Sequence, residues 1–289
     1  MALFGKKYDE SAEAHAHRIA LTESLTFELI PLKSLTDAVA ALPAGAEVSV
    51  TCSPAKGIDE TQRITAELLA DGFTPIPHFS ARMVRNKAHT AELAAWCREL
   101  GLAKVFMVGG DAEEPGDYAG AVEFLADFLE TDHGLDTIGV TAYPDGHVFL
   151  SDEKLTWALH EKQRMLNDAG VNGYCSTQMC FDPDTIAKWL RTERERGLNL
   201  PVHLGISGVV DKAKLLKMGA RLGIGDSLTY LRKNVGAVVK MMTTVNYDPN
   251  DLLLPLSDDL VTLGVEGMHV FTFNQVAATN EWREATLAG

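Results

Sequence analysis

Cysteine is scarce in this chain of 289 residues: Cys52, Cys97, Cys175 and Cys180 are its four, and none forms a CxxC pair. That scarcity speaks against a disulfide framework or a cysteine-rich zinc module and fits reduced, buried thiols. Long apolar runs are missing too, none approaching the ~20 residues of a membrane span. The N-terminus is basic only at Lys6 and Lys7 before turning polar, so it does not read as a secretory leader. Positive charge is in deficit, with 26 Lys and Arg against 40 Asp and Glu and a net charge of -14. A nucleic-acid surface needs clustered bases, so none is expected, although a local basic patch could still hold a small anion. Missing as well are GxSxG, a P-loop and a GxGxxG after a strand; the glycines between 219 and 225 have the wrong spacing. No His, Asp and Glu set sits at metal-ligand spacing, so no metal is expected. Neither Cys175 nor Cys180 has an obvious base or cation beside it, which argues against a thiol nucleophile. These absences describe a cytoplasmic protein with no membrane and no nucleic-acid partner.

With 46% hydrophobic and 23% charged residues, the composition is that of an ordinary globular protein. The apolar run from Val105 to Val108 reads as a strand buried on both faces, left abruptly at Gly109 and Gly110, with Asp111 just beyond. The same grammar recurs along the chain. Strands are expected near 25–30, 48–52, 74–79, 105–108, 137–142, 173–179, 200–205 and 268–273. Helices are expected near 34–42, 59–71, 87–100, 118–129, 152–169, 183–196, 211–222 and 275–287. Eight strands alternating with eight helices define an α/β protein, a (β/α)8 TIM barrel over 1–289 as a single domain. Residues 1–20, with His15 and His17 in an Ala-rich context, read as a frayed, solvated N-terminal extension. Residues 226–264, before the eighth strand, read as a helical insertion.

In a parallel barrel the carboxyl ends of the strands ring one mouth, and binding residues collect there. Those ends carry Glu28, Thr51, His78, Asp111, Tyr143, Gln178 and Asn274. Glu28 interrupts an otherwise apolar strand; buried, such a carboxylate must be paired, neutralised or functional, and otherwise it marks a wet edge. Two acids, an amide and few bases suit a neutral or anionic heterocycle, with a protonated carboxylic acid available as general acid.

The chain resembles the methylenetetrahydrofolate reductase family from about residue 25 to 274. The segments that carry the resemblance are Phe27-Glu28-Leu29-Ile30-Pro31, Val48-Ser49-Val50-Thr51, Pro77-His78-Phe79, Val108-Gly109-Gly110-Asp111 and Tyr118-Ala119. Further ones are Ala142-Tyr143-Pro144-Asp145-Gly146-His147, Asp168 to Asn172, Ser176-Thr177-Gln178 with Phe181-Asp182, and His269 to Asn274. The resemblance implies a folate substrate, with Glu28 as the acid that opens the imidazolidine ring to an iminium. It implies Asp111 as the acid facing the pterin and Gln178 as its amide partner, with Tyr143 and Asn274 beside the substrate. Thr51, His78, Tyr118, Ala119 and His147 fall at positions like the flavin contacts of the FAD-using members.

Two departures stand against FAD. Gly109 replaces the arginine usual before the Gly-Asp of strand four. The helix-five positions that would serve the cofactor's ribose and diphosphate are Leu159, Lys162, Met165 and Leu166, with Arg164 nearby. A diphosphate needs cationic or amide donors, and the expectation is against tight FAD binding. The resemblance implies reduction of 5,10-methylenetetrahydrofolate to 5-methyltetrahydrofolate with NAD(P)H as hydride donor. A folate-dependent methyltransferase or demethylase on the same barrel would not consume reduced nicotinamide, and a folate-binding protein would not need both acids. A homo-oligomer is compatible with the sequence, which carries no mark of its copy number.

Overall fold

The computed structural model describes residues 10–221 and 246–289. Eight parallel strands close into a barrel in sequence order: β1 (Leu25–Leu29), β2 (Glu47–Val50), β3 (Thr74–Ser80), β4 (Lys104–Val108), β5 (Thr137–Ala142), β6 (Asn172–Thr177), β7 (Val202–Ser207) and β8 (Val265–Phe271). The helices between them are α2 (Leu35–Ala40), α3 (Ile58–Ala70), α4 (Lys87–Leu100), α5 (Ala121–Leu129), α6 (Asp152–Ala169), α7 (Pro183–Glu195), α8 (Lys212–Arg221) and α9 (Asn250–Thr262). An N-terminal helix α1 (Ala12–Glu23) precedes β1, and α10 (Val276–Leu287) follows β8. No helix among the described residues is long and apolar enough to cross a membrane.

The ends of these helices follow from local chemistry. Asp182 accepts hydrogen bonds from the amides of Asp184 and Thr185 and is followed by Pro183, which starts α7. Gly170, at φ 68°, supplies the left-handed residue that stops α6.

Alternation along each strand sorts the side chains. Phe27, Leu29, Val48, Val105, Met107, Ile138 and Val140 turn outward and build the main core against the helices. The barrel interior is polar and aromatic. Ile76, Phe106 and Tyr174 form a separate inner cluster. Tyr174 stacks on His203 with ring centroids 4.2 Å apart, and His78 lies 4.9 Å from Phe106. Gly139 makes room for these rings, since a Cβ there would stand 2.3 Å from Tyr174 and 2.5 Å from Phe106. At the amino-terminal end Lys104 Nζ bonds Glu47 Oε2 at 2.5 Å, and Thr26 Oγ1 donates to Glu47 Oε1 at 2.6 Å.

Two segments differ from their sequence reading. Residues 12–23 are a helix, not a frayed extension. Ser11 caps α1, Ala14 and Leu21 are buried, and Arg18 is clamped by Glu10 at 2.6 Å. The helix packs on α9 and α10. Of the expected insertion at 226–264, residues 226–245 lie outside the described residues. The remainder contains α9, whose Leu252, Leu253, Leu256 and Leu260 belong to the main core, so this stretch is barrel wall. The helix expected at 211–222 is α8, and it sits elsewhere. Its Leu215 joins Met179, Phe181, Val210, Tyr247 and Phe273 in a second apolar cluster, made from residues just past the carboxyl ends of β6, β7 and β8.

Candidate active site

Glu28 lies inside the barrel on β1, 7% exposed, where the register sets it opposite Ser49 on one side and Phe271 on the other. Its Oε2 is 3.0 Å from His269 Nε2 on β8. His78 Nε2 is 2.5 Å from Ser49 Oγ, and the His78 and His269 rings have centroids 6.0 Å apart. Burial, and secondarily the neighbouring His269, hold the His78 imidazole well below its usual pKa, so it is neutral at physiological pH. Phe106 and Phe271 pack against His269 at 5.9 and 5.1 Å.

The turn after β8 fixes the backbone that carries Glu28. Thr272 Oγ1 donates to Glu28 O at 2.5 Å. Asn274 Oδ1 accepts from Ile30 N at 2.9 Å, and its Nδ2 donates to Ile30 O at 2.9 Å and to Ser34 Oγ at 3.1 Å. Phe273 and Asn274 both have positive φ, 49° and 61°, a strain tolerated where the surroundings over-determine the backbone. Asn274 was expected beside the substrate; in the structure both ends of its amide are engaged in holding the end of β1. We expect Asn274→Ala to cost roughly 1–3 kcal/mol, because it removes the partners of the partly buried Ile30 backbone groups. Thermal and urea unfolding measure this. Unchanged stability with weakened folate binding would instead make Asn274 a ligand contact.

The other expected residues divide into a rim and a periphery. Gln178 follows β6 half-buried; its Oε1 accepts from Met179 N at 2.8 Å. Tyr143 is half-buried after β5 and meets His147 edge-on at 5.3 Å; burial raises the Tyr143 hydroxyl and lowers the His147 imidazole. Asp111 is exposed in the loop after β4, outside the buried Glu28 group. Thr51 Oγ1 and Ser80 Oγ, at the ends of β2 and β3, are buried with no hydrogen-bond partner among the described residues. Tyr118, expected at a cofactor contact, has its hydroxyl engaged within the protein. It is buried among helices, sharing a hydrogen bond with Thr90 Oγ1 at 2.8 Å and donating to Asp127 Oδ2 at 2.8 Å. Ala119 is exposed before α5. A surface groove of about 640 Å³ between α6 and α7 is lined by Tyr143 and His147 but by none of the buried acid–imidazole group.

The α6 face that would meet a flavin diphosphate is turned to the barrel wall. Leu159 and Leu166 are buried, and Met165 packs on the main core. Lys162 is buried, donates to Thr141 O at 3.2 Å, and has its pKa lowered by burial to about 8. Arg164 is on the outer surface, bonded to Glu161 and Asp168. Arg82 stands near the loop after β4, but its Nε donates to Ala112 O at 2.9 Å. This donor set does not fit a flavin diphosphate laid along α6. The thiols are no better placed for chemistry: none of the four cysteines forms a disulfide, and burial pushes Cys175 up to about 12.

His269 was missed as a site residue, although it interrupts an apolar strand just as Glu28 does. The spacing argument against a metal set also fails to reach Glu28, His78 and His269, which offer donor atoms all within 4.8 Å of one another. They come from three different strands, which linear spacing does not register.

A closed parallel barrel with a buried acid and two imidazoles below its carboxyl-terminal mouth defines an α/β-barrel protein with a mouth-centred site. The sequence profile of the methylenetetrahydrofolate reductase family matches residues 31–285, and the chain belongs to that family. Among solved structures it is similar to an uncharacterised protein from Clostridium thermocellum that binds two copies of 5-methyl-5,6,7,8-tetrahydrofolic acid, at 12% identity and TM-score 0.58, covering 95% of this chain and 99% of that one. It also aligns with a protein provisionally assigned as a deoxyribose-phosphate aldolase from Toxoplasma gondii, at 10% identity and TM-score 0.48, covering 95% and 98%. At such identities the likeness concerns the fold. Family membership makes the function folate-related.

Proposed function

We propose that this chain reduces 5,10-methylenetetrahydrofolate to 5-methyltetrahydrofolate with NAD(P)H, and that Glu28 is its general acid. The observation that carries the reading is the buried Glu28 carboxyl, aimed into the barrel with His269 as its partner; the resemblance to the family implies the proton-donor role for it. Forming a methyl group on N5 requires the bond from the bridging carbon to N10 to break. Protonation of N10 by Glu28 releases that bond and leaves an iminium on N5. Hydride from the reduced nicotinamide completes the methyl group, so one hydride and one proton are consumed per turnover.

The residues around Glu28 support its task. His269 holds one carboxyl oxygen, leaving the other for the substrate, and Thr272 and Asn274 fix the strand end. Asp111 is proposed to stabilise the pterin from the rim. Gln178 is proposed to pair with the pterin edge, Tyr143 to flank it, and the orphan hydroxyls of Thr51 and Ser80 to meet the nicotinamide. Lacking a fitting donor set where the family's flavin diphosphate would lie along α6, the enzyme is proposed to work without bound FAD.

Stopped-flow oxidation of NADH and NADPH, with and without methylenetetrahydrofolate, tests the reading. Methyl transfer without nicotinamide oxidation, or folate binding without turnover, would replace it. Gln178→Ala is expected to weaken folate binding by about 1–3 kcal/mol, roughly 5- to 150-fold. Equal affinity in calorimetry would remove Gln178 from the site.

A further inference from the structure

We propose that Glu28, His78 and His269 form a binding site for a divalent transition-metal ion, zinc foremost, whose occupancy takes Glu28 away from proton donation. The metal site stands on geometry alone; its inhibitory consequence rests on the reading of Glu28 as general acid.

The donor chemistry selects the ion. Two imidazoles and one carboxylate are ligands for zinc and its transition-metal neighbours, whereas magnesium and calcium favour all-oxygen sets. Three protein ligands with an open fourth position is also the composition of catalytic zinc sites. Tetrahedral bonds of about 2.0–2.2 Å place neighbouring donors roughly 3.3 Å apart. His269 Nε2 and Glu28 Oε2 are already 3.0 Å apart, and the three donors lie within 4.8 Å of one another. Closing the triad therefore needs side-chain adjustments on the order of an ångström, on β1, β3 and β8 of a closed barrel.

The surroundings favour a metal ion as well. His78, Glu28 and His269 are 6%, 7% and 2% exposed, so an ion there meets little competition from solvent. Phe106 and Phe271 complete an apolar shell around His269. A carboxylate bound to a divalent cation is held deprotonated and cannot deliver a proton to the substrate.

Cobalt(II) titration of the full chain tests the site without requiring turnover. The expected result is saturable visible ligand-field absorption at one ion per chain. His78→Asn and His269→Gln should each weaken it by roughly 100-fold or more. Should either variant fail to fold, X-ray absorption of the zinc-loaded wild type is expected to count two imidazoles and an oxygen donor. No visible band at millimolar cobalt, an intense sulfur-to-cobalt charge-transfer band, or undiminished binding in both folded variants would overturn the site. Zinc should also slow NAD(P)H oxidation, with recovery on adding EDTA. Metal binding that leaves turnover untouched would overturn the inhibitory role alone. A chain that proves inactive with methylenetetrahydrofolate but binds cobalt as described would overturn the reductase reading and leave the metal site standing.

Discussion

Glu28→Gln is expected to lower turnover by roughly two to four orders of magnitude while leaving the fold and folate binding in place. Glutamine matches glutamate in size and can still hydrogen-bond His269, so the 3.0 Å contact across β1 and β8 has a replacement. It has no acidic proton to give N10, and the bridging carbon then stays bonded to both nitrogens. The site is only 7% exposed, and because the amide keeps a hydrogen bond to His269, the substitution strands no buried group. Single-turnover NADH oxidation, folate calorimetry and thermal unfolding separate these contributions. Near-wild-type turnover would sink the assignment of Glu28. Lost folate binding with an intact fold would make it a binding residue.

The barrel was legible because its strands are short apolar runs closed by glycine, proline or polar residues, as at Val105–Val108 before Gly109. Where that contrast fades, so does the reading. The start of β8 was hidden because Glu266 and Gly267 break its apolar pattern, which let residues up to 264 pass for an insertion. In α9, Pro255 inside the helix obscured a leucine-rich face that belongs to the wall. In α1 the buried positions are Ala14, Arg18, Leu21 and Thr22, too small or too polar to announce a packed helix. What docks α1 is partly the bond from Ser11 to Asp258 at 2.9 Å and that from His17 to Val265 O at 2.8 Å, a partner 248 residues away.

The site was legible to the same extent and for the same reason. An acid inside an apolar strand marks itself, and Glu28 did. His269, between Met268 and Val270, carries the same signal, but attention to strand ends favoured Asn274. Whether a polar side chain at a strand end faces ligand or backbone depends on partners that sequence does not reveal. Asn274 is occupied by Ile30 and Ser34, and Tyr118 by Thr90 and Asp127. The resemblance to the reductase family placed both near ligands, and the hydrogen bonds give them structural work.

The purified protein is expected to be colourless and to pass hydride from nicotinamide directly to the folate iminium. The argument rests on where the cations are. Gly109 stands where the family usually has arginine, and the nearby Arg82 has its Nε engaged with Ala112 O. On α6, Leu159 and Leu166 are in the core, Lys162 is held at Thr141, and Arg164 faces solvent between two acids. A charge-assisted hydrogen bond to a phosphate contributes roughly 1.5–3 kcal/mol, so losing two weakens FAD by about two to four orders of magnitude. The buried hydroxyls of Thr51 and Ser80 do not reverse this, since a nicotinamide carboxamide can satisfy them as well as a flavin ring. The iminium generated by Glu28 is electrophilic enough to take hydride directly, provided the nicotinamide occupies the mouth over β2 to β4. Absorbance of the protein as purified, and NAD(P)H oxidation with and without added FAD, measure the outcome. A stoichiometric flavin band, or turnover that depends on FAD, would show that phosphate donors come from elsewhere in the chain and would overturn the direct-transfer reading.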